Sequence, residues 1–250
     1  MRYFLLFLCV SFTLVACTPV QELTTADYVL EAGQATRSFV SGGDTGMYLF
    51  NNAYPGPLIE GTVGEPLQVV AKNSLHEPIT IHFHGMQLPN EMDGVPDVTQ
   101  KAIKPGESFV YNFTPKNPGT YWYHSHVDAH KQVEMGLQGP VIIHPEKESI
   151  GADSRTVLVL DDIMLNQDGS FRSFEPNYMH GRFGNVLLVN GKQFPEITMQ
   201  GSTHRFHIIN TANARSFSLN FAQEQITIIG EDVGYVKPYN VSRLLIHPGE

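Results

Sequence analysis

The chain has 250 residues, of which 42% are hydrophobic and 16% charged, and its 25 acidic and 16 basic side chains give a net charge of −9. This acidic balance, without any cluster of basic residues, argues against a nucleic-acid partner. The two cysteines, Cys9 and Cys17, lie at the start of the chain. Their position excludes a disulfide framework, a cysteine zinc site and a thiol nucleophile in the body of the chain.

The start of the chain has the composition of an export signal. Arg2 precedes an apolar run over residues 3–10, which is too short to span a bilayer. The segment ends in Leu14-Val15-Ala16-Cys17, which resembles the lipobox of bacterial lipoproteins. We predict that residues 1–17 are a lipoprotein-type signal peptide and that Cys17 carries a lipid anchor. The protein is then exported to the cell envelope, in the periplasm or at the outer membrane; the alternative is an ordinary signal peptide cleaved nearby.

Short strands and turns follow the signal segment. No stretch of a dozen residues keeps a helical period, while Asp168-Gly169 and Asn190-Gly191 are typical of tight turns. Four segments of alternating or apolar character are predicted strands: residues 67–71, 108–113, 157–160 and 204–209. This pattern predicts an all-β chain built as a β-sandwich.

An internal repeat divides this all-β part of the chain. In each half a strand ends at an asparagine, Asn73 and then Asn210, and a Pro-Gly-Glu turn follows at 105–107 and again at 248–250. The two sets of landmarks lie about 140 residues apart, which indicates two tandem units of the same kind.

The repeat sets the predicted domains. We place the first at residues 26–145 and the second at 155–250, a division that suits the chain length. In the first domain, a further stretch of chain follows the Pro-Gly-Glu turn, whereas the second domain stops there. We therefore expect the second sandwich to be incomplete, with an open sheet edge, and residue 250 not to be the natural end of the protein.

Two histidine pairs carry the chemistry of the first domain. His82 and His84 flank Phe83, and His124 and His126 follow an aromatic run about 40 residues later. Residues two apart in a strand share a face, so each pair is predicted to point to one side while Phe83 enters the core. Imidazole suits copper, zinc, iron and nickel but not calcium or magnesium. The sequence therefore predicts a transition-metal site; the alternative is a polar outer face.

One acidic residue lies close to the first pair. Asp93 follows His84 by nine residues and can complete the environment of a metal. An equally good interpretation is a turn residue within Met92-Asp93-Gly94, because aspartate and glycine favour turns.

These motifs, in this order, resemble those of the multicopper oxidases, and the resemblance is closest to bacterial laccases and cuprous oxidases. It covers residues 45–145 with correct spacing and continues more loosely into the second domain, and Phe83 stands where tryptophan is usual. The motifs that carry it are His82-Phe83-His84-Gly85, Met92-Asp93-Gly94-Val95-Pro96, Lys104-Pro105-Gly106-Glu107-Ser108, Tyr121-Trp122-Tyr123-His124-Ser125-His126 and Met135-Gly136-Leu137-Gln138-Gly139-Pro140.

The resemblance implies tandem cupredoxin-like Greek-key β-sandwiches and a copper site. It implies that His82 binds a type 2 copper and that His84, His124 and His126 bind a type 3 pair, which together are half the ligands of a trinuclear cluster. Asp93 matches an acidic residue that is thought to deliver protons to reducing oxygen.

The resemblance also implies an activity. In this family the cluster reduces dioxygen to water with electrons from a phenolic, aromatic amine or cuprous donor, received through a type 1 copper that needs a thiolate. Because Cys17 is the last cysteine, we expect that copper in a missing C-terminal domain and the 250-residue chain alone to be inactive. The alternatives are a non-catalytic copper-binding or cupredoxin-like envelope lipoprotein, or, fitting less well, a mononuclear cupin-type enzyme.

Overall fold

The computed structural model describes residues 26–174, 181–221, 226–232 and 234–250, and the predicted signal segment with Cys17 lies outside them. The described chain is almost entirely β, which confirms the predicted fold class. No helix in the described ranges is long and apolar enough to cross a membrane. The strands are β1 Tyr28–Val40, β2 Gly43–Phe50, β3 Ile59–Thr62, β4 Leu67–Asn73, β5 His82–His84, β6 Ser108–Phe113, β7 Gly119–His124, β8 Gln138–His144, β9 Ser154–Ile163, β10 Val186–Val189, β11 His204–Asn210, β12 Phe217–Asn220, β13 Ile226–Glu231, β14 Gly234–Val241 and β15 Arg243–Ile246.

The first eight strands form two four-stranded sheets. Their orders are β2-β1-β4-β6 and β3-β8-β7-β5. Pairing is antiparallel except between β1 and β4 and between β3 and β8, which run parallel. Alternate side chains of both sheets fill the space between them, and the fully buried members include Leu30, Val69, Phe83 and Tyr123. Each such side chain contributes about 1.5–3 kcal/mol through removal of its apolar surface from water.

The later strands form smaller sheets. Among the described residues, their orders are β10-β9-β11, β12-β15 and β13-β14. A one-turn helix, α1 at Ala129–Gln132, and a 3-10 turn at Asn90–Met92 interrupt the first unit. All four segments predicted as strands are strands here, and the predicted turn at Asn190-Gly191 has the positive φ angles, 50° and 71°, that hairpin turns require.

The internal repeat is visible in hydrogen bonds. Asn73 donates its backbone N–H to Glu107 O at 3.0 Å and accepts from Gly106 at 2.8 Å. Asn210 makes the same pair with Glu250, at 2.7 Å, and with Gly249, at 2.9 Å. Each asparagine thus ties its strand to the Pro-Gly-Glu turn of its own unit. The domain limits of 26–145 and 155–250 stay a prediction.

The two units meet along β9 and around the β1–β2 hairpin. Phe39, Val40 and Tyr54 of the first unit pack on a buried apolar cluster centred on Ile163 of β9. Within β2 of this hairpin, Thr45 Oγ1 donates to Gly169 O at 2.7 Å. The junction is therefore built from buried contacts as well as from the covalent connection.

Candidate metal centre

Two antiparallel strands bring the histidines together. In the pairing of β5 with β7, His82 lies opposite His124. Phe83 points into the core, where its ring makes edge contacts with Phe113 and Tyr111. The flanking His82 and His84 therefore point to the opposite face, as the alternation of a strand requires.

The second pair differs from its prediction. His124 is the last residue of β7, and His126 lies beyond the strand. The strand ends there because Ser125 bonds to other segments. Its Oγ donates to Gln132 Oε1 at 2.5 Å, and its backbone N–H donates to Leu137 O at 3.0 Å. The expectation that His124 and His126 share one strand face is therefore wrong, although both rings still reach the cluster.

All four imidazoles surround one space. The ring of His82 lies 5.7 Å from that of His84, 5.3 Å from that of His124 and 5.4 Å from that of His126, measured between centroids. His124 is 5.6 Å from His84 and 6.0 Å from His126. One ring nitrogen from each of His82, His84 and His124 lies within 4.8 Å of the others, which is close enough to share a metal or to hold adjacent ones.

Backbone carbonyls determine which ring nitrogen of His82 and of His124 has a lone pair available for a metal. His82 Nδ1 is 2.6 Å from Asp93 O, and His124 Nδ1 is 2.9 Å from Ser125 O. A carbonyl only accepts, so these Nδ1 atoms carry the hydrogen and each Nε2 keeps its lone pair. His84 is turned the other way: its Nδ1 lies 3.4 Å from His124 Nε2 and faces the cluster. The cluster thus offers two Nε2 atoms and one Nδ1.

Asp93 supports His82 mainly through its backbone. Its carboxylate Oδ1 is 3.5 Å from His82 Nδ1, farther than its carbonyl, and its side chain is 35% exposed. Gly94, at φ +80°, allows the turn to come close to the strand, since a Cβ there would meet Ile81 O at 2.0 Å. Asp93 therefore lies where the sequence places it, beside the first histidine pair, and is also the turn residue of the alternative interpretation.

Burial keeps the central imidazoles neutral. Desolvation lowers the pKa of His124 to about 3, with repulsion from His82 and His84 adding to the effect. Desolvation also lowers the pKa of His84, as do the neighbouring His82 and His126, while Asp232 opposes the shift. Neutral imidazole is the form that binds a metal. Converging neutral nitrogens, without a thiolate among them, therefore fit copper ions well.

Trp122 is a residue of this site that the sequence did not assign. Its ring lies 5.0 Å from that of His84 and 4.3 Å from that of His124. Its Nε1 donates to Gly249 O at 3.3 Å, and it packs with Val159 of the second unit. The aromatic run before His124 was the only signal in the sequence, and it did not distinguish a core side chain from one that contacts the ligands.

A cupredoxin-like β-sandwich with four imidazoles around one space is the arrangement of a copper protein. Comparison with known families agrees, since residues 31–148 match one sequence profile described as Multicopper oxidase and residues 122–250 match a second with the same description. The second match alone covers more than half of the chain. The chain belongs to the multicopper oxidase family.

Individual relatives agree with this assignment. The chain is 31% identical to the multicopper oxidase MmcO of Mycobacterium tuberculosis over 233 residues, covering 80% of this chain and 46% of MmcO. It is 34% identical to Laccase-1 of Cryptococcus neoformans over 198 residues, covering 74% of this chain and 31% of that laccase. The chain therefore spans less than half the length of these curated relatives.

Solved structures show the same architecture. A multicopper oxidase from Pseudomonas thermotolerans superposes with a TM-score of 0.83 at 29% identity, covering 90% of this chain and 57% of that one. A multicopper oxidase from Campylobacter jejuni, described as a metallo-oxidase, superposes with a TM-score of 0.82 at 30% identity, covering 91% of this chain and 50% of that one.

Proposed function

We propose that His82, His84, His124 and His126 are half of the ligands of a trinuclear copper cluster in an oxidase that reduces dioxygen to water. The observation that carries this proposal is the convergence of imidazole nitrogens of His82, His84 and His124 within 4.8 Å, in a chain that belongs to the multicopper oxidase family. When bound, copper supplies the one-electron chemistry and the place of oxygen reduction. The protein orients the nitrogens, and burial favours the neutral form of His84 and His124.

The roles of the four histidines follow the family pattern. His82 is assigned to the type 2 copper and the other three to the type 3 pair. His82 has its Nδ1 engaged by Asp93 O, whereas His84 turns its Nδ1 toward His124 Nε2, and this difference supports different copper partners for the two neighbours.

Asp93 is proposed to deliver protons. Its carboxyl group is partly exposed and has one oxygen 3.5 Å from His82 Nδ1, so it connects solvent with the edge of the cluster. A carboxyl group in this place can take up and release protons at the edge of the cluster.

The electron donor is proposed to be a phenol, an aromatic amine or a cuprous ion. Relatives named laccase, metallo-oxidase and iron transport oxidase support a donor of this broad class. The type 1 copper that receives the electrons needs a thiolate, and no cysteine follows Cys17. We place that copper in a further C-terminal domain, and we expect the 250-residue chain alone not to turn over.

Export and membrane attachment belong to the same proposal. The apolar run and the lipobox-like segment ending at Cys17 support an exported lipoprotein of the cell envelope. Expression in a bacterium with labelled fatty acid tests this: wild type should carry label and sediment with membranes, and Cys17→Ser should do neither. Unlabelled wild type would contradict the lipid anchor.

Copper binding tests the site itself. In equilibrium dialysis, the wild-type chain should retain copper, and the double variant His82→Ala, His126→Ala should lose most of it. The matched control is His76→Ala, His130→Ala, which removes two exposed histidines outside the cluster and should bind as wild type does. Equal binding by all three proteins would favour the second candidate function, a cupredoxin-like envelope scaffold.

Oxygen consumption tests the missing electron entry. With a phenolic donor and added copper, the 250-residue chain should consume no oxygen beyond the rate of free copper. Turnover that depends on His82 and His126 would contradict the assignment of the type 1 site to another domain.

A further inference from the structure

A buried carboxyl group lies at the junction between the two units. Val159 and Asp161 are two residues apart on β9, so both face the first unit. Val159 packs against Trp122, and Asp161 meets Tyr54 and Gln138. One strand face of the second unit therefore holds the first unit through an apolar contact and a polar one.

Asp161 is surrounded by donors. The Tyr54 hydroxyl donates to Asp161 Oδ2 at 2.6 Å, and Gln138 Nε2 donates to the same oxygen at 3.3 Å. Asp161 Oδ1 accepts from the backbone N–H of Asp162 at 2.7 Å. Asp161 is 4% exposed, so water contributes little to its solvation.

The positive charges near Asp161 are paired with other acids and do not compensate a negative charge on it. Asp162 lies beside it, but Arg215 Nε donates to Asp162 Oδ2 at 2.6 Å. Glu134 adds a third carboxylate at the junction and pairs with the buried Arg182. Both arginines are thus engaged by the other two carboxylates, and each of those acids repels a charge on Asp161.

The chemistry of this environment favours a neutral carboxyl group. Burial raises the pKa of Asp161 to about 7, and repulsion from Asp162 and Glu134 adds to the rise, while the Tyr54 hydrogen bond opposes it. Tyr54 itself stays protonated, because burial and the same acids raise its pKa well above its ordinary value.

Gln138 can respond to the charge of its neighbour. Its Oε1 is buried without a hydrogen-bond partner among the described residues, while its Nε2 faces Asp161. A half-turn of the amide exchanges these two atoms. In one orientation, Nε2 donates to the ionised Asp161. In the other, Oε1 accepts the hydrogen of the neutral carboxyl group and so gains a hydrogen-bond partner.

We propose that Asp161 is a proton-dependent contact between the two units: the buried, neutral carboxyl group holds the junction closed, and loss of its proton leaves a buried charge with no cation beside it among the described residues, which loosens the junction. This inference concerns the junction alone and does not depend on copper. It gives the chain a conformational response to the pH of its surroundings.

The sign of the effect follows from linkage. The folded-state pKa of about 7 lies above the ordinary value of 3.8, so the folded chain binds a proton that the unfolded chain has lost. The stability contributed by that proton is complete below about pH 4, decreases as pH rises and is lost above pH 7. The junction should accordingly be tight at pH 5 and loose at pH 8.5.

Trp122 is the only tryptophan of the chain and reports on this junction directly. We expect its emission in the metal-free chain to shift to longer wavelength as pH rises, with a midpoint near 7, because water reaches the indole when Val159 moves away. Asp161→Asn separates this shift from protonation of the imidazoles in contact with Trp122, because the variant leaves His84 and His124 in place.

Two variants and a control test the assignment. Asp161→Asn keeps the shape and a donor toward Gln138 but cannot ionise, so its emission should not change between pH 5 and 8.5. Tyr54→Phe removes a donor to the carboxylate, so its midpoint should move to higher pH. Asp97→Asn, at an exposed acid paired with Lys101, should titrate as wild type does.

Each outcome decides the proposal. A wild-type transition that Asp161→Asn abolishes supports it. A transition that persists unchanged in Asp161→Asn, or no transition in wild type, overturns it. If circular dichroism shows Asp161→Asn unfolded, the Tyr54→Phe midpoint decides alone: a shift to higher pH supports the proposal and an unchanged midpoint overturns it.

Discussion

The indole of Trp122 lies almost parallel to the imidazole of His84, with ring centroids 5.0 Å apart and planes inclined by 27°. The same indole reaches across to Val159 and Ile209 of the second unit. One aromatic ring therefore contacts both the candidate copper ligands and the junction between the units, and the single tryptophan of the chain becomes a natural spectroscopic probe of each.

Copper binding should quench Trp122 fluorescence. Cu(II) held by His84 and His124 would lie beside the indole, and a redox-active ion at that distance removes the excited state efficiently. Titration of the wild-type chain with Cu(II) should thus reduce emission in a saturable way. Zn(II), which binds imidazole but has no redox chemistry, should leave most of the emission intact. Equal quenching by both ions would indicate a change in structure rather than a metal close to Trp122.

Substitution of Gly94 should weaken copper binding without touching a ligand. A Cβ at Gly94 would lie 2.0 Å from Ile81 O, so the turn that carries the Asp93 carbonyl must move away from His82 Nδ1. Loss of such a support for a ligand typically costs about 10–100-fold in metal affinity. We expect a decrease of that size for Gly94→Ala in calorimetric titration with copper.

Gly106→Ala is the matched control for Gly94→Ala. Gly106 has the same φ of +80°, but nothing lies within 4 Å of its Cβ position. It should lose stability from backbone strain and keep the copper affinity of wild type. If both variants lost affinity equally, general strain and not the position of His82 would be the cause.

Removal of the buried charge of Glu134 should destabilise the fold strongly. The side chains of Glu134 and Arg182 are 2% and 6% exposed, and breaking such a pair at one partner costs about 3–5 kcal/mol. Glu134→Gln should reduce the free energy of unfolding in urea by that amount. Glu77→Gln breaks the more exposed pair with Lys131 and should cost about 0–1 kcal/mol. Similar losses in the two variants would show that burial does not set the cost.

His207 should make the chain sensitive to acid. Burial lowers the pKa of His207 to about 4, with the nearby Arg205 and Arg155 adding to the effect, so the folded chain holds it neutral where the unfolded chain protonates it. Stability is therefore lost as pH falls from about 6.5 to 4, by up to about 1.4 kcal/mol per pH unit. His207→Gln should show a shallower loss over this range in thermal unfolding. An unchanged slope would mean that His207 titrates at its ordinary pKa in the folded chain.

The sequence predicted what depends on local pattern. Strand alternation gave β4, β6, β9 and β11, and the resemblance to multicopper oxidases, confirmed by the comparisons, gave the family. Alternation failed at His126 because the strand ends where Ser125 finds partners on other segments. The surroundings of Asp161 were beyond any local pattern, since Tyr54 is 107 residues away along the chain.

The strand pairings of the first unit also set an order of events during synthesis. The short strand β5 has β7 as its partner, β7 lies between β5 and β8, and β8 ends at His144. Non-local pairings of this kind form slowly, because the chain loses conformational entropy in bringing distant segments together before their contacts stabilise it. A chain emerging from its N-terminus therefore completes the four-stranded sheet that carries the imidazoles only when residue 144 has been made.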